Sequence, residues 1–139
     1  MLLDTADASL APVAWDLELP AEPAQLAIAR RHTAETAREA RLDSARASEL
    51  VHAVNEAVTN AIRHGRPDRD GRIRIVAWAS PERLTFAVSD YGAFVRPSGE
   101  ADPRAEGGRG FHLMSRLVDE VRVHTSMWGT TVVLSKERT

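Results

Sequence analysis

Arg72-Ile73-Arg74-Ile75-Val76-Ala77-Trp78-Ala79-Ser80-Pro81-Glu82-Arg83-Leu84-Thr85-Phe86-Ala87-Val88-Ser89-Asp90-Tyr91-Gly92 contains two strand patterns with no helical pattern between them. Ile73, Ile75 and Ala77 fall on one face of the first run, and Leu84, Phe86 and Val88 on one face of the second. That alternation is the period of a pleated strand half buried in a core. Ser80-Pro81-Glu82 joins the runs. Strands that follow one another directly, rather than alternating with helices, point to an α+β fold and away from a parallel α/β sheet.

The flanking sequence completes the pattern. Val13 to Leu19 alternates Val13, Trp15, Leu17 and Leu19 with Asp16 and Glu18, a half-buried strand that Pro20 and Pro23 end. From Ala24 to about Ala40 the chain is alanine-rich, without Gly or Pro. Leu26, Ala29 and Ala37 mark its inner side and arginines its outer face. Asp43 or Ser44 is the cap of a second helix, with Leu50, Val54, Ala57, Val58, Ala61 and Ile62 as its buried stripe and Gly65 as its stop. After a long irregular loop at 91–106, Phe111, Met114, Leu117 and Val118 mark a short helix. Glu120–Thr125 and Thr130–Ser135 are the last strands, turned by 126–129. The expected architecture is a two-layer α+β sandwich, with a mixed, mostly antiparallel sheet and helices on one face.

The 139 residues suit one domain, and a hydrophobic content of 43% suffices for a packed core. The expected division is a loose tail at 1–12 and a domain at 13–139. The absence of cysteine rules out disulfides, thiolate metal sites and cysteine nucleophiles. A net charge of −2 carries no nucleic-acid bias. Arg66, Arg69, Arg72 and Arg74 are interleaved with Asp68 and Asp70 and read as a solvated approach to the hairpin. Met1–Asp4 does not open a signal-peptide pattern and no apolar run reaches membrane length, so no membrane association and a cytoplasmic location are expected.

Three separated segments carry chemistry. His52, Glu56, Asn60 and His64 are spaced by four, a polar line opposite the Val54–Val58 stripe. Such a line is either a solvent face or a working surface. As the latter, the Asn60 carboxamide oxygen suits Mg²⁺ and Glu56, one turn earlier, suits a general base. Asp90 ends a strand, either as a turn starter or as an acceptor for an exocyclic amine such as the adenine N6. Gly92 would let backbone pass close to a base. Gly107-Gly108-Arg109-Gly110 precedes a helix, either as a hinge or as a set of N–H groups turned toward phosphates. Arg104 and Arg109 are the nearest cations for a γ-phosphate. The pocket is not a P-loop, because no Gly-Lys-Ser/Thr follows, and hydrolase, zinc-protease and Rossmann patterns are absent.

Together the segments resemble the N, G1 and G2 boxes of the GHKL (Bergerat-fold, histidine-kinase-like) ATPases. The whole stretch from about 13 to 136 is similar to their small single-domain branch, the bacterial anti-sigma factor serine kinases. Glu56–Gly65 carries the likeness to the N box, Gly107–Met114 with Leu117–Val121 that to the G2 box, and Gly129–Val132 that to the closing strand. The resemblance implies that Asn60 ligates Mg²⁺ beside the triphosphate, Glu56 is the catalytic base, Asp90 binds adenine with Thr130 supporting that end, and Gly92, Gly108 and Gly110 line the nucleotide. Phe94 departs from the pattern, standing where the G1 box usually has its second glycine.

The function implied is an ATP- and Mg²⁺-dependent protein serine/threonine kinase acting on an anti-anti-sigma (STAS-domain) partner and sequestering a sigma factor. The alternative is a partner-binding module that holds nucleotide without turnover. In relatives the arginine-bearing first helix forms the shared partner surface, which corresponds here to Arg30-Arg31 through Arg41. A homodimer is a candidate assembly.

Overall fold

In the computed structural model, residues 14–64, 71–90, 108–126 and 129–139 are described here. The elements run β1 (Ala14–Pro20), a 3-10 turn (Pro23–Gln25), α1 (Leu26–Glu39), α2 (Ser44–His64), β2 (Arg72–Ala79), β3 (Arg83–Asp90), α3 (Gly108–Leu117), β4 (Glu120–Ser126) and β5 (Gly129–Glu137). The expected tail at 1–12, the loop at 91–106 with Phe94, and the Arg66 and Arg69 cluster lie outside these residues.

The five strands form one sheet in the order β1-β2-β3-β5-β4. All four pairings are antiparallel, so the sheet is antiparallel throughout rather than mixed. The hairpin register sets Ile75 opposite Val88 and Ala77 opposite Phe86, so the apolar positions of both strands share one face. Ser80 closes the turn: its N–H donates to the Arg83 carbonyl at 2.8 Å and its hydroxyl accepts the Arg83 N–H at 3.1 Å.

That face meets the helices. Ile73, Ile75, Leu84, Phe86 and Leu134 have no exposed surface, nor do Leu50 and Val58 of α2. Each such side chain stabilises the fold by about 1.5–3 kcal/mol relative to exposure. Helix α1 packs on α2, and α2 lies across β3 and β5 and against α3. Asp43 caps α2, its Oδ1 accepting the Arg46 N–H at 2.7 Å, which satisfies one of the first-turn donors that a helix leaves without partners.

Thr33 and Thr36 are buried positions of α1 that an apolar stripe does not reveal. Both hydroxyls donate back to carbonyls four residues earlier, to Ala29 at 2.8 Å and His32 at 2.6 Å. Thr36 also accepts the Trp15 indole N–H at 2.6 Å, tying β1 to α1. Lys136 is equally hidden. It is 8% exposed, and its Nζ donates to Glu49 at 2.8 Å and to the Leu117 carbonyl at 2.6 Å, fastening the end of α3 to α2. Among the described residues, no helix is long and apolar enough to cross a membrane.

Candidate nucleotide site

Asp90 is the last residue of β3 and is 7% exposed. It continues the inward-facing series Leu84, Phe86, Val88, so strand alternation itself turns the carboxylate toward the helix layer. Its neighbour across the β3–β5 pairing is Thr130, whose N–H donates to Asp90 Oδ1 at 3.4 Å. The Thr130 hydroxyl oxygen is buried and has no hydrogen-bond partner among the described residues. A buried hydroxyl left unpaired costs about 1–3 kcal/mol. A buried carboxylate thus lies beside a hydroxyl whose own hydrogen-bonding capacity is unmet among the described residues.

Helix α2 runs across the same strands. Glu56 and Asn60 lie one turn apart on it and are both partly exposed, while Ala57, Val58 and Ala61 face the core. His52, which is exposed, Glu56 and Asn60 thus share one side of α2, while the side chain of His64, the fourth member of the expected line, lies outside the described residues. A helix that buries its opposite stripe has no freedom to rotate these two side chains away. The residue before Glu56, Asn55, accepts a hydrogen bond from Arg30 Nη1 of α1 at 3.2 Å. That link joins the arginine-bearing helix to the one carrying the candidate base, and no single-helix periodicity announces it.

Helix α3 packs against α2 and begins at Gly108, so the backbone N–H groups of its first turn, including that of Gly110, have no acceptor within the helix itself. The backbone of Arg109 lies in that turn; its side chain falls outside the described residues, as do Gly92 and Arg104. Among the described residues no cluster of three or more His, Asp or Glu is arranged for a metal ion. The structure thus brings Asp90 and Thr130 together, places Glu56 and Asn60 on one helix face, and packs the helix that begins at Gly108 against that helix.

The family of histidine kinase-like ATPase domains matches residues 19–136. Among curated proteins, the chain is similar to the serine-protein kinase RsbW of Bacillus subtilis, 31% identical over 134 residues that cover 87% of this chain and 83% of the relative. It is also similar to the anti-sigma F factor of Clostridium novyi, 36% identical over 100 residues, covering 65% and 70%. Among solved structures it resembles a Mycobacterium tuberculosis protein of RsbU and RsbW domains, with a TM-score of 0.71 at 23% identity, over 91% of this chain and 33% of that one. The histidine kinase domain of an Erythrobacter litoralis blue-light-activated kinase follows, with a TM-score of 0.56 at 21% identity, over 86% and 62%. At these identities the two structures speak to the fold alone.

Proposed function

The chain belongs to the histidine kinase-like ATPase domain family, and we propose that it is an ATP-dependent protein serine kinase that acts as an anti-sigma factor. The observation that carries the nucleotide reading is the Asp90–Thr130 pair, a buried carboxylate beside a hydroxyl with no partner among the described residues. The names of the relatives, serine-protein kinase and anti-sigma F factor, support the rest.

Bound ATP with Mg²⁺ supplies the phosphoryl group and the charge that organises it. The chain's residues have separate tasks around it. Asp90 accepts the exocyclic amine of adenine, and the Thr130 hydroxyl fills its hydrogen-bonding capacity on the same ring. Asn60 offers a carboxamide oxygen to the metal. The N–H groups at Gly108 and Gly110 face the phosphates at a positive helix end, where a missing Cβ lets them approach closely. Gly92, Arg104 and Arg109 complete the proposed nucleotide contacts. Glu56 takes the proton from the attacking serine hydroxyl, which raises the nucleophile's reactivity as transfer begins.

The proposed protein substrate is an anti-anti-sigma STAS-domain protein, and the proposed captive is a sigma factor, met in the cytoplasm on the exposed Arg30 and Arg31 side of α1. The test is transfer from γ-labelled ATP to a serine of candidate STAS-domain proteins, alongside capture of sigma factors by immobilised protein. Label on serine that disappears in Glu56→Gln supports the kinase. Nucleotide binding with sigma capture and no transfer to any candidate leaves a binding module in its place.

A further inference from the structure

The sheet has a second face. Positions alternating with the core series point away from the helices, and one register row on that side reads Trp78, Thr85, Ser135, Glu120 across β2, β3, β5 and β4. Small hydroxyl residues on the two inner strands lie between a tryptophan on one side and a charged wall on the other. The result is a groove of about 370 Å³ lined by this row with Arg83, Arg122, His124 and Val133. That volume is at the small end of ligand pockets, enough for one ring system.

Its chemistry is unevenly distributed. The Trp78 side is an apolar plane, 42% exposed and one of two exposed large hydrophobic side chains among the described residues. On the other side, Glu120 is shared by two guanidiniums, Arg83 Nη1 at 3.1 Å and Arg122 Nε at 2.7 Å. Two cations on one carboxylate leave one positive charge over. A guanidinium has five N–H donors, so most donors of both arginines are not spent on Glu120. The floor is polar and enclosed: Thr85 and Ser135, each 8% exposed, share one hydrogen bond of 3.0 Å. In either direction of that bond, one hydroxyl hydrogen is not used by the pair. Glu137, opposite Arg83 in the β3–β5 register, does not line the groove.

We infer that this groove binds a small aromatic anion, a single ring bearing one carboxylate, with the ring against Trp78 and the carboxylate on the Arg83 and Arg122 guanidiniums. The apolar plane and the surplus charge sit on opposite sides of the floor, which suits a ligand polar at one end and flat at the other. Planar guanidinium donors match a carboxylate two bonds at a time. The spare floor hydroxyl hydrogen adds a third donor. The site lies on the face opposite Asp90 and Thr130, so it stands whether or not the nucleotide reading does.

The test is a titration of the full ¹⁵N-labelled chain with benzoate, benzyl alcohol and sulfate, read on the Trp78 indole N–H, assigned by its loss in Trp78→Phe. Benzoate should shift that signal saturably while benzyl alcohol and sulfate at the same concentrations leave it in place. Arg122→Gln should weaken benzoate by about tenfold, the loss of one charge-assisted contact, with Mg-ATP binding unchanged. Arg83→Gln serves if the first variant does not fold. No saturable shift with benzoate overturns the inference. So does an equal response to benzyl alcohol, which removes the anion, or to sulfate, which removes the ring. A Trp78 signal that moves with protein concentration alone assigns the face to contact between copies and overturns it too.

Discussion

Thr130 donates its backbone N–H to Asp90 Oδ1 at 3.4 Å, yet its own buried hydroxyl has no partner among the described residues. The pairing separates two effects that usually move together. Thr130→Val keeps shape and strand propensity while deleting the orphaned group, so the free protein should be unchanged or more stable in urea unfolding. Affinity for Mg-ADP should fall in calorimetry. Asp90→Asn keeps an acceptor oxygen for Thr130 but loses the charge toward an amine, and should weaken Mg-ADP by about 1.5–3 kcal/mol. Undiminished affinity in both variants would remove the adenine assignment.

The end of α1 yields a prediction about stability alone. Arg41 has φ 65°, the left-handed region that disfavours a side chain. Its N–H donates to the Arg38 carbonyl at 2.9 Å and that of Leu42 to the Ala37 carbonyl at 3.0 Å, a helix stop of Schellman type. Arg41→Gly should therefore stabilise the protein by about 1 kcal/mol, relief of left-handed strain outweighing the extra entropy of glycine. Urea midpoints at constant slope would measure it.

Arg41 also shows where the sequence is opaque. A stop written without glycine gives no signal, whereas a cap at Asp43 or Ser44, the Leu50–Ile62 stripe and the β2–β3 hairpin carry periodic or turn chemistry and were readable at once, the structure deciding the cap for Asp43. Thr33, Thr36 and Lys136 escaped because polar types are assigned outward by default; a carbonyl one turn back lets Thr33 be buried, and partners from other elements do so for Thr36 and Lys136. Within the site, Asp90 was legible at a strand end, as a turn starter or an acceptor, and the structure adds that it continues the inward-facing series of β3. Its proximity to Thr130 depends on a register between segments forty residues apart, which local pattern does not encode.

Lys136 supplies the third prediction. Lys136→Met retains the buried stem but removes the donor to Glu49 and to the Leu117 carbonyl. The carbonyl at the end of α3 then loses its side-chain partner, at a cost of about 1–3 kcal/mol. Glu49→Gln should cost much less, because that carboxylate is 46% exposed and solvent replaces its partner. Equal losses would mean that the ion pair, not the helix end, is what Lys136 serves.

Acid stability should respond at the β1–β2 edge. The Asp16 carboxyl is held below its ordinary range, chiefly by hydrogen bonding to the Arg74 guanidinium. A depressed folded pKa contributes stability that is present above the unfolded value and lost as pH falls through the folded one. Arg74→Gln should be slightly less stable at neutral pH, and the difference should begin to shrink as pH falls past the ordinary Asp value of about 4 and vanish only below the depressed folded value. High salt should shrink it as well, since both side chains are exposed. A difference that persists at low pH would assign the effect to packing of the Arg74 stem.

Glu56 and Asn60 stand one turn apart on α2, yet their proposed roles predict opposite kinetic signatures. A metal ligand acts already in the ground state, so Asn60→Ala should weaken Mg-ATP while leaving Mg-free nucleotide binding little changed. A general base acts only as the serine hydroxyl is attacked. Glu56→Gln should therefore bind Mg-ATP as the parent does and lose phosphoryl transfer by about 10²–10⁴-fold, the span of general base catalysis. Both side chains are partly exposed on a helix whose opposite stripe is fully packed, so neither substitution should disturb the fold. Single-turnover transfer and calorimetry on the same preparations separate the two. Matched losses of binding in both variants would show that Glu56 holds nucleotide or metal rather than the proton.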